Sequence, residues 1–177
     1  MKSKNNCLIA LVNTNDNIVG YGDKLKVHKK GLLHRAFSVF IFNKKGDMLI
    51  HKRAHSKYHS PSLWTNACCS HLLKNTTMQE CISNRLQYEM GFNTEVKFQL
   101  KFTYRKSFNN GLTEHETDYI YTGVWEGTPN PNHKEVAAYK WISVKELTND
   151  IKKHPENYTY WFKYIMEHFE SKIKDIV

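Results

Sequence analysis

Short β-forming runs alternate with a few amphipathic stretches along the chain, and turn residues separate them. The apolar run from Cys7 to Val12 reads as a strand, with Asn13 to Asn17 as the turn after it. Ala36 to Phe42 is strongly β-forming. Lys44-Lys45-Gly46-Asp47 reads as a turn, and Met48 to His51 returns as its hairpin partner. Further strands are expected at Val96 to Tyr104, Glu116 to Val124 and Ala137 to Ile142, with Gly127 to Pro131 as a loop.

The helices are announced by their caps and stripes. Thr77-Met78-Gln79-Glu80 has the capping-box pattern, in which a threonine oxygen and a glutamate carboxylate satisfy each other's free backbone N–H groups. Met78, Ile82, Leu86 and Met90 then recur along one face, and Gly91 stands where a C-terminal glycine belongs. Ser143-Val144-Lys145-Glu146 repeats the box ahead of a short helix. A last helix carries Phe162, Ile165, Met166 and Phe169 at i, i+3, i+4, i+7 spacing. Strands interrupted by a few helices predict an α/β (α+β) protein, a mixed β-sheet sandwiched by helices. No repeat or low-complexity linker is present, so 1–177 reads as one domain, and 177 residues suffice for a substantial core.

Composition narrows the partners. The chain is 40% hydrophobic and 24% charged, ordinary for a globular protein, with a net charge of +9. That balance suits a nucleic acid, a membrane surface or a phosphorylated metabolite, and equally a solvated lysine-rich surface. Lys24, Lys26, Lys29, Lys30, Lys152, Lys153, Lys172 and Lys174 are scattered and form no block, which argues against a nucleic-acid tail. The polar stretch Met1 to Asn6 and the short run behind it fit neither a signal peptide nor a membrane span. Cys7, Cys68, Cys69 and Cys81 include no Cys-x-x-Cys pair, so reduced thiols in the cytoplasm are the simpler reading.

Three constellations carry chemistry. Cys69 and His71 fall on one face if their segment is extended, which joins a thiol to an imidazole. Taken alone, the pair also fits a buried structural cysteine beside a surface histidine. Glu114 and Glu116 share one side of a strand. Carboxylates that close need a cation between them or a retained proton, unless both simply face solvent. His28 and His34 complete, with His71, Glu114 and Glu116, a nitrogen/oxygen ligand set for a divalent transition metal.

The residues around these positions resemble the type I isopentenyl-diphosphate isomerases, enzymes with a Nudix-like fold. The matching elements are His28…His34-Arg35-Ala36-Phe37-Ser38, Trp64 to His71, Tyr88-Glu89-Met90-Gly91, Tyr104-Arg105, Glu114-His115-Glu116 with Asp118-Tyr119, and Trp161-Phe162-Lys163. They run in the family's order over nearly the whole chain. The resemblance implies a Nudix-like α/β/α sandwich and an isomerase that interconverts isopentenyl and dimethylallyl diphosphate in isoprenoid biosynthesis. It makes Cys69 and Glu116 catalytic, puts Tyr104 beside Glu116, and makes Trp161 the aromatic wall over the hydrocarbon. It gives His28, His34, His71, Glu114 and Glu116 one Mn2+ or Zn2+, and Glu89 an Mg2+ linked to the diphosphate. It puts Lys24, Arg53, Lys57 and Arg85 around that diphosphate. The expected partner is therefore a small-molecule diphosphate, with no nucleic acid and no membrane, and the expected state a monomer or weak homodimer.

The chain departs from the family pattern in places. Five residues separate His28 from His34 where the family usually has six, Leu72 and Tyr160 stand where prolines are common, and Ser70 stands at the leading glycine of the Nudix box. Asn84-Arg85…Tyr88-Glu89 keeps a single box carboxylate, Glu89. A Nudix-type diphosphate hydrolase is thus the alternative, weakened because metal-assisted attack by water wants a richer carboxylate cluster. Chemical necessity points the same way as the resemblance. Protonating an unactivated alkene makes a tertiary carbocation, so the site needs an acid, a base and an unreactive stabiliser of positive charge such as an indole face.

Overall fold

The structure, a computed structural model, describes residues 8–174; Cys7, at the start of the first expected strand, lies outside them. The chain begins with β1 (Leu8–Val12), β2 (Ile18–Asp23) and a short helix α1 (Lys24–Lys30). The hairpin β3 (His34–Phe42) and β4 (Asp47–Arg53) follows, then two short strands, β5 (Trp64–Thr65) and β6 (Cys68–His71). Helix α2 (Met78–Met90) leads to the long pair β7 (Val96–Ser107) and β8 (Thr113–Val124). The chain ends with β9 (Val136–Ser143), α3 (Val144–Lys153), a 3-10 turn at Pro155–Asn157 and α4 (Tyr160–Lys174).

The hairpin organises the sheet by coming apart. Asn43 closes its turn, accepting from the amides of Lys45 and Asp47 through its side-chain oxygen. After Phe42↔Met48 and Ile41↔Leu49 the two strands diverge. β3 continues between β6, antiparallel, and β8, parallel, with β7 outside β8. β4 is taken up between β9 and β5. The expected mixed sheet therefore results.

β3 reads as one continuous apolar run because both of its faces are buried. Phe37, Val39 and Ile41 face the core beneath α2, where Ile82, Leu86 and Met90 pack. Phe40 and Phe42 face the core beneath α4, against Phe162, Ile165 and Met166. Truncating a fully buried phenylalanine such as Phe37 or Phe40 to alanine costs about 3–5 kcal/mol. The helical layers rest on α2 and α4, as their stripes predict.

The caps behave largely as expected. Thr77 and Glu80 form the full reciprocal box. Gly91 has φ 79° and donates to Gln87, and a side chain there would put its Cβ 2.3 Å from the carbonyl oxygen of Asn130. Ser143 caps α3 by accepting from the amide of Glu146, but the second half of the box differs. The Glu146 carboxylate accepts from the Ser143 hydroxyl, not from its backbone.

Strands β3, β4, β7, β8 and β9 extend beyond their expected limits, and β2, α1 and β5 are additions to the sequence reading. β2 is largely exposed, so no burial pattern announces it. α1 buries only Val27 and His28, although Asp23 caps it and Gly31, at φ 61°, ends it. No helix among the described residues is long and apolar enough to cross a membrane.

Candidate active site

Period-two alternation on three neighbouring strands assembles the site on the α4 side of the sheet. Opposite His34 of β3 stands Glu116 of β8, and opposite Ala36 and Ser38 stand His71 and Cys69 of β6. One strand further out, Tyr104 of β7 lies opposite Glu116. Glu114, Glu116 and Asp118 share this face, while His115 points away and bonds to the carbonyl of Gly31. Cys68 falls on the other face, fully buried in the core under α2. The alternation expected for Cys69, His71, Glu114 and Glu116 is the alternation observed.

His28, His34, His71, Glu114 and Glu116 are all buried, and their ligand atoms lie within 4.8 Å of one another. His28 reaches the cluster despite the shortened spacing, because α1 stops at left-handed Gly31 and the chain turns directly into β3. Its Nδ1 faces the carbonyl of Lys24 at 2.6 Å, and Nδ1 of His34 faces that of Leu32 at 2.8 Å. An Nδ1–H donated to each carbonyl leaves Nε2 with its lone pair toward the cluster. His28 Nε2 lies 3.1 Å from Glu114, while His34 and His71 lie 3.4 Å and 3.1 Å from Glu116.

The donor set fits a divalent cation. His34 Nε2 and Glu114 Oε2, which face the cluster, are buried without hydrogen-bond partners, which is costly unless something else satisfies them. Burial, together with the charges of Lys24, His34 and His28, drives the pKa of His71 well below the usual imidazole value, so it presents a neutral ring. Three imidazoles and two carboxylates with no sulfur suit a divalent transition metal.

The remaining groups on this face are titratable. Tyr104 donates its phenolic hydrogen to Glu116 Oε2 at 2.7 Å. Burial opposes ionisation of Glu116, but His34, Glu114 and Tyr104 overcome it and hold the carboxyl below the ordinary glutamate range. Cys69 is the reverse case: burial pushes its thiol up to about 12, so it carries a proton. Asp118 is raised by burial and by the charge of Glu116, and it accepts from Ser38 at 2.9 Å.

These groups open onto a cavity of about 320 Å³. Cys69, Tyr104, Glu114, Glu116, His28 and His71 line one part of it, and Lys24, Arg53, Lys57, Arg85 and Glu89 also face it. Trp161, at the start of α4, forms part of the wall and donates from Nε1 to Thr65 at 3.1 Å. His34 sits behind the lining, fully buried. Glu89 is raised by burial, against the opposing charge of Arg85, to which it is paired. Arg85 and Lys57 both reach Glu135, with Arg85 at 3.4 Å.

Glu135 and His59 are among the residues at this site that escape the sequence reading. Glu135 lies in the loop before β9, where no periodicity marks it. His59 lies in the irregular segment between β4 and β5, 3.2 Å from Glu114 Oε1. Its only signal is that it is one more histidine near Trp64.

Comparison with known proteins places this geometry. The NUDIX domain matches residues 32–164. The isopentenyl-diphosphate Delta-isomerase of Serratia proteamaculans is 42% identical over 160 residues, covering 90% of this chain and 89% of that one. The isopentenyl-diphosphate Delta-isomerase of Burkholderia multivorans is 40% identical over 159 residues, with 90% of each chain covered. Among solved structures, a protein of Deinococcus radiodurans aligns with a TM-score of 0.75 at 17% identity, over 90% of this chain and 97% of that one. A MutT protein from Methanosarcina mazei aligns at 0.65 and 13% identity, over 78% and 94%. At such identities these two likenesses show the fold alone.

Proposed function

The chain belongs to the isopentenyl-diphosphate Delta-isomerases, within the Nudix family, and we propose that Cys69 and Glu116 are the two proton-carrying groups of their reaction here. The reaction interconverts isopentenyl and dimethylallyl diphosphate by protonation and deprotonation through a tertiary carbocation. A proton arrives at one end of a three-carbon unit and leaves from the other. One group cannot easily reach both carbons, so two are required.

The observation that carries the assignment is that Cys69 and Glu116, on the two strands flanking β3, line one cavity under Trp161. One group gives a proton to one carbon and the other takes a proton from the far carbon: Glu116, bonded to the Tyr104 hydroxyl and placed at the metal cluster, is the acid or proton relay, and Cys69 fills the complementary role. The indole of Trp161 stabilises the intermediate cation through its quadrupole, an interaction worth roughly 0.5–2 kcal/mol. Burial of the wall excludes water that would capture the carbocation.

His28, His34, His71, Glu114 and Glu116 would hold one zinc or manganese ion, whose charge tunes the proton affinity of Glu116. Glu89 would hold magnesium when the diphosphate supplies the other oxygens, since magnesium prefers phosphate partners and keeps waters. Lys24, Arg53, Lys57 and Arg85 grip the diphosphate, and that binding energy holds the reacting carbon in place.

Hydrolysis is disfavoured by the same site. Helix α2 turns one carboxylate to the cavity, Glu89, while Glu80 is exposed and occupied in the capping box. Incubation with isopentenyl diphosphate and magnesium should give dimethylallyl diphosphate with no release of phosphate. Release of phosphate without the allylic product would reverse this reading.

A further inference from the structure

We propose that His59 is a positioning residue for the metal centre, hydrogen-bonding the outer oxygen of Glu114 and tying that carboxylate to the aromatic wall of the cavity. The proposal rests on the reading of His28, His34, His71, Glu114 and Glu116 as a metal centre.

Glu114 divides its two oxygens. Oε2 faces the histidine cluster, 3.1 Å from His28 and 4.0 Å from His34, whereas Oε1 faces His59 Nε2 at 3.2 Å. A carboxylate that ligates through one oxygen can rotate and present the other. An N–H donated to Oε1 holds Oε2 toward the cluster, and outer partners of this kind typically change metal affinity about 10–100-fold.

His59 is itself held on several sides. It is 6% exposed, its ring stacks on Trp161 at 5.7 Å and 30°, and it meets Phe108 edge-on at 4.5 Å. Its carbonyl accepts from Arg53 Nη2 at 2.9 Å, and the carbonyl of Ser60 accepts from Arg53 Nε at 3.1 Å. The Ser60 hydroxyl also lies 3.5 Å from His59 Nε2. Ser60 and Ser62 adopt φ of 46° and 62°, a region that serine rarely occupies without surrounding support. The segment is therefore built to deliver one imidazole to one place.

Three variants separate the hydrogen bond from the packing. His59→Phe keeps a stacked ring and removes the donor, His59→Gln restores an N–H donor, and His59→Ala removes both. Manganese and zinc affinity is measured by chelator competition on each purified protein, and circular dichroism melts check that each is folded. His59→Phe and His59→Ala should bind metal about 10–100-fold more weakly than wild type, and His59→Gln should recover most of the difference. If folded His59→Phe binds as tightly as wild type, or His59→Gln binds no better than His59→Phe, the positioning role is overturned. Wild-type protein that retains no divalent metal would overturn the metal centre itself, and this proposal with it.

Discussion

Tyr104 and Glu116 share a 2.7 Å hydrogen bond on one oxygen of a carboxylate whose other oxygen faces His71 and His34. In the proposed mechanism Glu116 thus joins the proton chemistry to the metal cluster, one oxygen for each. Tyr104→Phe should lower kcat by about 10²-fold while metal content stays at the wild-type level. Glu116→Gln should lose activity and metal together. Steady-state rates and elemental analysis of the two purified variants separate these outcomes, and a Tyr104→Phe protein stripped of metal would merge roles that this account keeps apart.

Cys68 and Cys69 are chain neighbours with opposite surroundings. Cys69→Ala or Cys69→Ser should reduce isomerisation by about 10³–10⁴-fold without unfolding the protein. Cys68→Ala should keep most activity and lose about 1–2 kcal/mol of stability, because its thiol fills the core under α2. A substrate-like epoxide should label Cys69, as peptide mapping would show. Label on Cys68, or wild-type turnover by Cys69→Ala, would mean that the catalytic thiol is misassigned.

Glu89 is the proposed magnesium partner at the diphosphate end. Glu89→Gln should weaken magnesium-dependent turnover, raising the magnesium concentration needed for half-maximal rate, while the zinc or manganese content is unchanged. The cause is geometric: Glu89 pairs with Arg85 on α2 and is not among the five clustered ligands. Loss of both metals in this variant would show that the two sites are not separate.

Most of the active face is legible in the sequence because it is written in β-strands. In a strand, spacing alone sorts Cys69 and His71 from Cys68, and Glu114 and Glu116 from His115. The same logic fails where no period exists. His59 and Glu135 lie in irregular segments, and their places follow from Arg53 and Lys57 drawing those segments inward. β2 and α1 are obscure for another reason: β2 is largely exposed and α1 buries two residues, so hydrophobic patterning carries little signal. The sequence does not foreshadow the parting of the β3–β4 hairpin either, since it depends on which distant strands, β8 and β9, compete for each arm.

The turn after β1 offers a test of stability apart from catalysis. Burial disfavours ionised Asp16, but Lys101, Tyr119 and Arg35 outweigh it and hold its pKa below the ordinary aspartate value of 3.8. A lowered pKa in the folded state contributes stability above the unfolded value, and that contribution is lost as pH falls through the folded value. Asp16→Asn should therefore cost about 1 kcal/mol at pH 7, a small figure because the network is partly solvent-screened. The difference from wild type should be smaller at a pH well below 3.8, where the folded state too takes up its proton, than at pH 7. Urea unfolding of both proteins at the two pH values measures it, and a gap that is independent of pH would show that the charge of Asp16 contributes nothing.

The most direct test of the central claim follows solvent protons into product. The protein is incubated with isopentenyl diphosphate and magnesium in D₂O, and the allylic product is examined by mass spectrometry and NMR. If two exchangeable groups protonate one carbon and deprotonate another, dimethylallyl diphosphate should carry deuterium at the carbon that received the proton. Cys69→Ala should produce almost none of it. Dimethylallyl diphosphate formed at the wild-type rate with no deuterium, or no allylic product at all from metal-loaded protein, would contradict the account.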